Sequence, residues 1–250
     1  MKDISSVEWT EFLNSIKEAK KAISDDGPIW FRGQDNASYY LLPSLLRYKN
    51  GLDKEQYLFN SFRKFAEKIF QRRECEWETL FDMQHYWIPT RLLDWSETFG
   101  IALYFAAFYN HLNNVNNDAA IYLLNPLRLN MVSCISKIYN IPSDEKDFSY
   151  TDIYWNKKPF SPNAPIAIEP IFINNRMSAQ RGVFTVHNDS IEPIEDKYPD
   201  AIKKVILPKE LIPAALEFLD LSNINQYTVY PDMSGIADFL KNSSNLISRY

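Results

Sequence analysis

The sequence predicts a single α+β domain, with a helix-rich N-terminal half packed on a small mixed or antiparallel β core. Three observations predict it. Apolar residues recur at helical spacing through most of the N-terminal half, β-like runs gather in the C-terminal half, and strands do not alternate regularly with helices as a parallel α/β sheet requires. The 250 residues are 46% apolar and 15% aromatic, enough for a substantial core. No repeat, low-complexity tract or linker divides them, so 1–250 reads as one domain: an N-terminal helix within 1–28, then a continuous region over 29–240.

Ser5, with Glu8 three residues on, has the pattern of a capping box, and Trp9, Phe12, Leu13, Ile16 and Ile23 follow on one helical face. Asp25-Asp26-Gly27-Pro28 stops that helix. Ile29 to Arg32 reads as a short strand closed by Gly33, and Tyr39 to Arg47 as extended chain with a turn at Pro43-Ser44. Asp53 to Arg73 is the clearest helix, with Leu58, Phe62, Phe65, Ile69 and Phe70 as its buried stripe. Glu76 to Tyr86 is a second helix; Pro89 breaks it, since proline cannot continue the ladder. Thr98 to His111 is almost wholly apolar and reads as a buried helix. Ala119 to Leu124 reads as a strand, and Leu127 to Tyr139 has helical character before the polar loop Pro142 to Thr151. Pro165 to Ile173, Gly182 to His187 and Lys203 to Leu207 are β-like. A helix over Lys209 to Leu221, a strand at Tyr227 to Tyr230 and a helix over Met233 to Leu240, capped by Asp232, close the chain.

Several functional classes are disfavoured. The formal charge of −5 argues against binding nucleic acid through net field alone, and Arg63, Lys64, Lys68, Arg72 and Arg73 read as a solvated helix face. Cys75 and Cys134 are far apart and without metal-ligand spacing, and His85, His111 and His187 form no zinc pattern, so no metal is expected. Neither a membrane span nor a signal peptide is legible, which makes the cytoplasm the expected location and a membrane an unexpected partner.

The densest functional signal runs from Gln84 to Trp95, where glutamine, histidine, arginine and aspartate are interleaved with three aromatics. Burying such polar groups without partners costs roughly 1–3 kcal/mol each, so they satisfy one another or face a ligand. Trp30-Phe31-Arg32-Gly33-Gln34 repeats the combination upstream. The Arg32 guanidinium suits bidentate contact with phosphate or carboxylate, or pairs with Asp94 inside the fold. Gly33 permits close approach of a ligand or another backbone. Arg91 and Asp94, three apart, can equally form a local ion pair. His85 is a candidate base by residue type or a hydrogen-bonded structural histidine, and Gln84 either caps its helix or faces a pocket. The aromatics Tyr104, Phe105, Phe108 and Tyr109 fall at helical spacing and read as core.

Phe31-Arg32-Gly33-Gln34, Leu42-Pro43-Ser44-Leu45, Gln84-His85-Tyr86, Pro89 to Trp95 and Ala102 to Ala106 together resemble the FRG domain family, named for its Phe-Arg-Gly signature. Arg176 to Thr185 and Tyr230 to Gly235 are similar to its later pattern, so the resemblance spans about Ile29 to Leu240. A remoter resemblance is to arginine-type mono-ADP-ribosyltransferases. Trp30 to Gly33 is similar to their aromatic-Arg-Gly strand, and Asp94-Trp95-Ser96 to their Ser-x-Ser strand, with aspartate at the first serine. Gln180-Arg181-Gly182 stands where their Glu- or Gln-x-Glu loop falls.

This second resemblance implies an ADP-ribosyltransferase-like fold that uses NAD as substrate. It assigns catalytic roles to Arg32, Asp94 and Gln180, and NAD contacts to Arg32, Gln34, Tyr86, Arg91, Trp95 and Ser96. An arginine would hold phosphate and ribose, an aromatic would stack on nicotinamide, and a carboxylate or amide would stabilise the charge that develops on the ribose. The pattern departs from those enzymes in lacking a glutamate at Gln180 to Gly182, a place that Asp94 or Glu169 would have to fill. The resemblances imply a toxin or phage-defence effector that modifies nucleic acid or protein, with an antitoxin or other partner protein. The alternative is a non-catalytic module that senses a nucleotide or a partner. A hydrolase built on Asp94 and His85 is a weaker third reading, for which no nucleophile elbow is present.

Overall fold

The computed structural model describes residues 2–25, 27–66, 69, 75–113 and 115–244. Among them the strands are β1 (Trp30–Gln34), β2 (Leu92–Ser96), β3 (Ala119–Leu124), β4 (Tyr139–Ile141), β5 (Ile166–Pro170), β6 (Gly182–Val186) and β7 (Ile202–Leu207). They form one mixed sheet in the order β4-β5-β6-β2-β1-β3-β7. Only β4 and β5 run parallel; the other neighbours are antiparallel. The helices are α1 (Val7–Ile23), α2 (Gly51–Ala66), α3 (Glu76–His85), α4 (Phe99–Leu112), α5 (Pro126–Met131), α6 (Asn175–Gln180), α7 (Ile194–Lys197), α8 (Ile212–Leu221), α9 (Gln226–Val229) and α10 (Met233–Ser243). The α+β architecture expected from the sequence is present, with a sheet wider than the small core expected. None of these helices is long and apolar enough to cross a membrane.

One face of the sheet carries two separate helical layers. Over β1, β3 and β7, helices α1, α4 and α8 bury Trp9, Phe12, Leu103 and Ala215 against Phe31, Ile121 and Leu123. Over β2, β6 and β5, helices α2 and α3 and Tyr150, which leads into the turn at Thr151–Trp155, bury Phe59, Trp77, Phe81 and the Tyr150 ring against Leu92, Phe184 and Ile168. The opposite face buries Trp30, Leu93, Trp95 and Tyr122 under Leu41, Ala164 and Ile194. Strand alternation makes this division: Trp30 and Phe31, or Tyr122 and Leu123, point to opposite faces.

Gly33 is where the first layer comes closest to the sheet. A Cβ there would overlap the Ala102 carbonyl oxygen and lie 2.8 Å from the Ala106 nitrogen, so α4 rests directly on the β1 backbone. Of the two roles open to Gly33, close approach of another backbone is the one observed.

Several local expectations are corrected. The N-cap of α1 is Ser6, whose hydroxyl accepts from the Trp9 amide, and Ser5 instead bonds Asp3. In the helix expected over Asp53 to Arg73, α2 is described to Ala66, and Phe65 and Ile69 are exposed. Phe70, Lys68, Arg72 and Arg73 lie outside the described residues. Ser44–Arg47 is a 3-10 turn in the stretch expected to be extended. Leu127 to Tyr139 yields only the short α5, and Cys134 adopts a left-handed φ of 60° before Tyr139 enters β4. Tyr227 to Tyr230 is mostly helix α9 because the Asn225 side chain accepts from the Tyr227 and Thr228 amides; a local cap overrides the aromatic β signal there. Asp232 does cap α10, accepting from Gly235 at 2.9 Å.

Candidate functional site

The cleft begins where the sheet splits. β1 is paired with β3 from Trp30↔Leu124 to Gln34↔Ala120, but shares with β2 the single register pair Phe31↔Ser96. Beyond that pair the two strands part, and the Arg32 guanidinium bridges them, Nη1 donating to the Asp94 carbonyl oxygen at 2.5 Å. The two helical layers part at the same place. A cleft of about 360 Å³ opens there, between Ile101, Ala102, Phe105 and Tyr109 of α4 and Gln84, Trp87 and Ile88 at the end of α3. That volume lies in the range of small-molecule sites. Leu93 and Trp95 also line it although they belong to the other face, as expected if the cleft reaches into the split.

Three arginines, Arg32, Arg47 and Arg176, line this cleft against one carboxylate, Asp94, among its described lining residues. Arg32 Nη1 stands 3.9 Å from Asp94 Oδ2, too far for a hydrogen bond. Its buried Nε has no acceptor among the described residues. Burial pulls the Arg32 pKa below the ordinary value, with Asp94 opposing that shift. Arg47 Nε donates to the Leu42 carbonyl, and Arg176 lies 4.6 Å from the Tyr230 ring centre and 5.3 Å from that of Trp87. Neither is in a salt bridge among the described residues. The result is a cationic, aromatic cleft in a chain of net charge −5.

A hydrogen-bond relay sets Asp94. The Leu92 amide donates to Thr90 Oγ1, which donates to Gln84 Oε1 at 2.6 Å, and Gln84 Nε2 donates to Asp94 Oδ2 at 2.7 Å. Gln84 therefore serves the cleft rather than its own helix end. Asp94 keeps more than half of its side-chain surface exposed, and its Oδ1 has no partner among the described residues.

Of the residues singled out in the sequence, Arg32, Asp94, Trp95, Ser96 and Gln180 all line this one cleft. Their freedom to act differs. Ser96 Oγ donates to the Gln180 carbonyl at 2.8 Å and accepts from the Thr98 amide, so the hydroxyl is already engaged in joining β2 to α6. Gln180 Nε2 donates to the Val229 carbonyl. Trp95 is 3% exposed and donates to Thr185 Oγ1, so its ring is held in the core and offers little free surface for stacking.

Three expected ligand contacts are corrected. Arg91 is held away from the cleft in a buried bidentate pair with Glu55 (2.7 Å and 2.7 Å), with Asp189 at 2.6 Å. Its local pairing with Asp94 is absent for the same reason. Gln34 does not line the cleft; its amide points to the Tyr40 carbonyl. Tyr86 lies outside the lining, with its ring edge-on to His85. His85 and Glu169 also stand outside the lining. Burial, then Arg176, pushes His85 down, and burial, then Glu97, pushes the Glu169 carboxyl up.

His187 is buried behind Trp95. Thr185 Oγ1 lies 3.2 Å from its Nε2, and the hydroxyl that accepts from Trp95 can donate to a neutral imidazole. Burial, with Arg32 and Arg91 nearby, pushes its pKa from 6.5 down to about 3. The folded chain thus resists a proton that the unfolded chain accepts. The stability this contributes is complete above the unfolded pKa and is lost as pH falls from about 6.5 towards about 3, by up to about 1.4 kcal/mol per pH unit. Urea unfolding at a series of pH values should show that slope, flattened in His187→Gln. An unchanged slope in the variant would contradict this reading.

No sequence motif singles out Arg47 or Trp87, Phe105 and Tyr109 read there as core, and Tyr230 reads only as the end of a strand and the start of a family-like turn; all five line the cleft. An aromatic beside a helix stop was the available signal for Trp87; Arg47 and Arg176 reach the cleft only through tertiary placement. Comparison with known proteins returned no match among curated proteins and none among solved structures. Residues 27–114 match the family model of the FRG domain. That segment supplies Arg32, Arg47, Gln84 and Asp94, while Arg176, Gln180 and Tyr230 lie beyond it, so the match supports the FRG family through the part of the chain that builds the split between β1 and β2.

Proposed function

We propose that the cleft binds a nucleotide of the NAD class, and that the chain is an ADP-ribosyltransferase-like effector acting on nucleic acid or protein. The observation that carries the binding reading is the buried Arg32 Nε, left without an acceptor among the described residues in a cleft with two further arginines. A buried donor left unmade costs roughly 1–3 kcal/mol, and a phosphate oxygen would satisfy it with a charge-assisted bond. Aromatic walls at Phe31, Phe105 and Tyr109 suit the rings of such a ligand.

Bound NAD would supply a glycosidic bond. Its cleavage releases nicotinamide with the bonding electrons, the ribosyl carbon bonds to an acceptor nucleophile, and the acceptor's proton passes to solvent. Asp94 is the carboxylate available to a ribose hydroxyl or to the developing positive charge, with Gln84 holding one oxygen and leaving the other open. The toxin or phage-defence setting rests on family resemblance alone.

A non-catalytic sensor is the second reading. Engagement of the Gln180 amide by Val229, and the absence of a glutamate among the described lining residues, favour it. Incubation with labelled NAD and mixed RNA, DNA and protein acceptors separates the two. The transferase reading expects label transfer or nicotinamide release, lost in Asp94→Asn. Thermal stabilisation by NAD without turnover supports the sensor, because a ligand that binds only the folded state raises its stability. If NAD causes neither turnover nor thermal stabilisation, the cleft is not an NAD site and both readings fail as NAD readings.

A further inference from the structure

We propose that Trp87, at the mouth of the cleft, is a stacking platform for an unpaired base, which makes single-stranded nucleic acid the acceptor class; as an acceptor assignment this rests on the transferase reading above.

Helix α3 ends in a paired cap: the Trp87 amide donates to the Gln84 carbonyl at 3.2 Å and the Ile88 amide to the Met83 carbonyl at 2.9 Å. This geometry places the first of those two donors, Trp87, in the left-handed region, where glycine is favoured, and its φ is 65°. A bulky side chain is unfavourable there. Core packing does not offset it, because Trp87 is 76% exposed. Folding would therefore be served at least as well by glycine, and the indole is left with a use outside the fold.

Its surroundings indicate what would bind. The Arg176 guanidinium lies 5.3 Å from the indole centre and also over Tyr230, and Arg47 lines the same cleft; neither cation is in a salt bridge among the described residues. An open aromatic face flanked by cations complements a base joined to phosphates. A duplex hides its base faces, and the overall charge of −5 opposes a long polyanion, whereas a few nucleotides at a local cationic mouth meet neither obstacle.

Fluorescence anisotropy on the intact chain tests this, with labelled single-stranded DNA and RNA of about 12 nucleotides, the matching duplex, and an arginine- and serine-rich peptide. The native chain should bind the single strands more tightly than the duplex or the peptide. Trp87→Gly should weaken that binding by about tenfold and Trp87→Phe by less, while the melting temperature of Trp87→Gly stays equal or rises. Three results would each overturn the proposal: single-strand binding unchanged in Trp87→Gly, Trp87-dependent binding of the peptide alone, or a marked fall in melting temperature in Trp87→Gly that makes the ring a structural cap. Failure of the underlying NAD reading is separately visible as no stabilisation of the native chain by NAD. Trp87-dependent oligonucleotide binding would support the platform even then.

Discussion

Arg91→Met should lower the free energy of unfolding by about 3–5 kcal/mol, because it strands the buried Glu55 carboxylate. Arg91 and Glu55 are 3% and 5% exposed, and two N–H···O bonds, one to each carboxylate oxygen, join them. Asp189 adds a third bond to Arg91, Tyr150 donates to Glu55, and Lys157 reaches Asp189 at 2.8 Å. The network ties α2, the start of β2 and the chain after β6 together, so its loss is felt across three elements. Urea denaturation measures the effect. A loss below about 1 kcal/mol would show that the pair is dispensable. Glu55→Gln should also destabilise, and the double variant should lose less than the sum, since both changes remove one interaction. Where the variants remain folded, the proposed NAD binding should be unaffected, which separates this arginine from Arg32.

Gly33→Ala should be nearly as damaging, at about 3 kcal/mol or more, beyond the usual cost of overpacking by one methyl. The atoms in the way are the carbonyl of Ala102 and the amide nitrogen of Ala106, both helix backbone, which cannot turn aside as a flexible side chain would. α4 would have to lift from β1, and with it Ile101, Phe105 and Tyr109 of the cleft wall. Thermal unfolding should therefore fall by many degrees, with weakened nucleotide binding in whatever fraction stays folded. Near-native stability in Gly33→Ala would mean that α4 does not rest on β1 as described.

These two residues also show how far the sequence could be read. Gly33 was recognisable as a point of close approach, but whether ligand or helix approached it depended on the packing of α4. Arg91 had the residue type and the neighbourhood of a ligand contact. Its partners Glu55 and Asp189 lie 36 and 98 positions away, a pairing that no local spacing reveals. Strong local signals fared better. Ala119 to Leu124 was legible as a strand to the residue, and the Asp232 cap was legible too; the end of α3 was placed to within a residue, though a paired cap closes it before Pro89 is reached. Tyr227 to Tyr230 failed because a cap from Asn225 outweighed aromatic β propensity. Motif order groups Arg32, Asp94, Trp95, Ser96 and Gln180, and the fold brings all five to the lining of one cleft. What motif order could not convey was which of them keep free hydrogen-bonding groups. Ser96 and Gln180 are engaged within the fold, and Asp94 and Arg32 are the pair left with unfilled capacity.

In the proposed reading, Arg32 presents an unfilled donor to a nucleotide phosphate. Calorimetric titration of NAD into the native chain and into Arg32→Ala tests it most directly. Saturable binding by the native chain, weakened about ten- to a hundredfold in a variant of unchanged fold, is the expected result for loss of a charge-assisted contact. No binding by the native chain, or equal affinity in the two proteins, would contradict it.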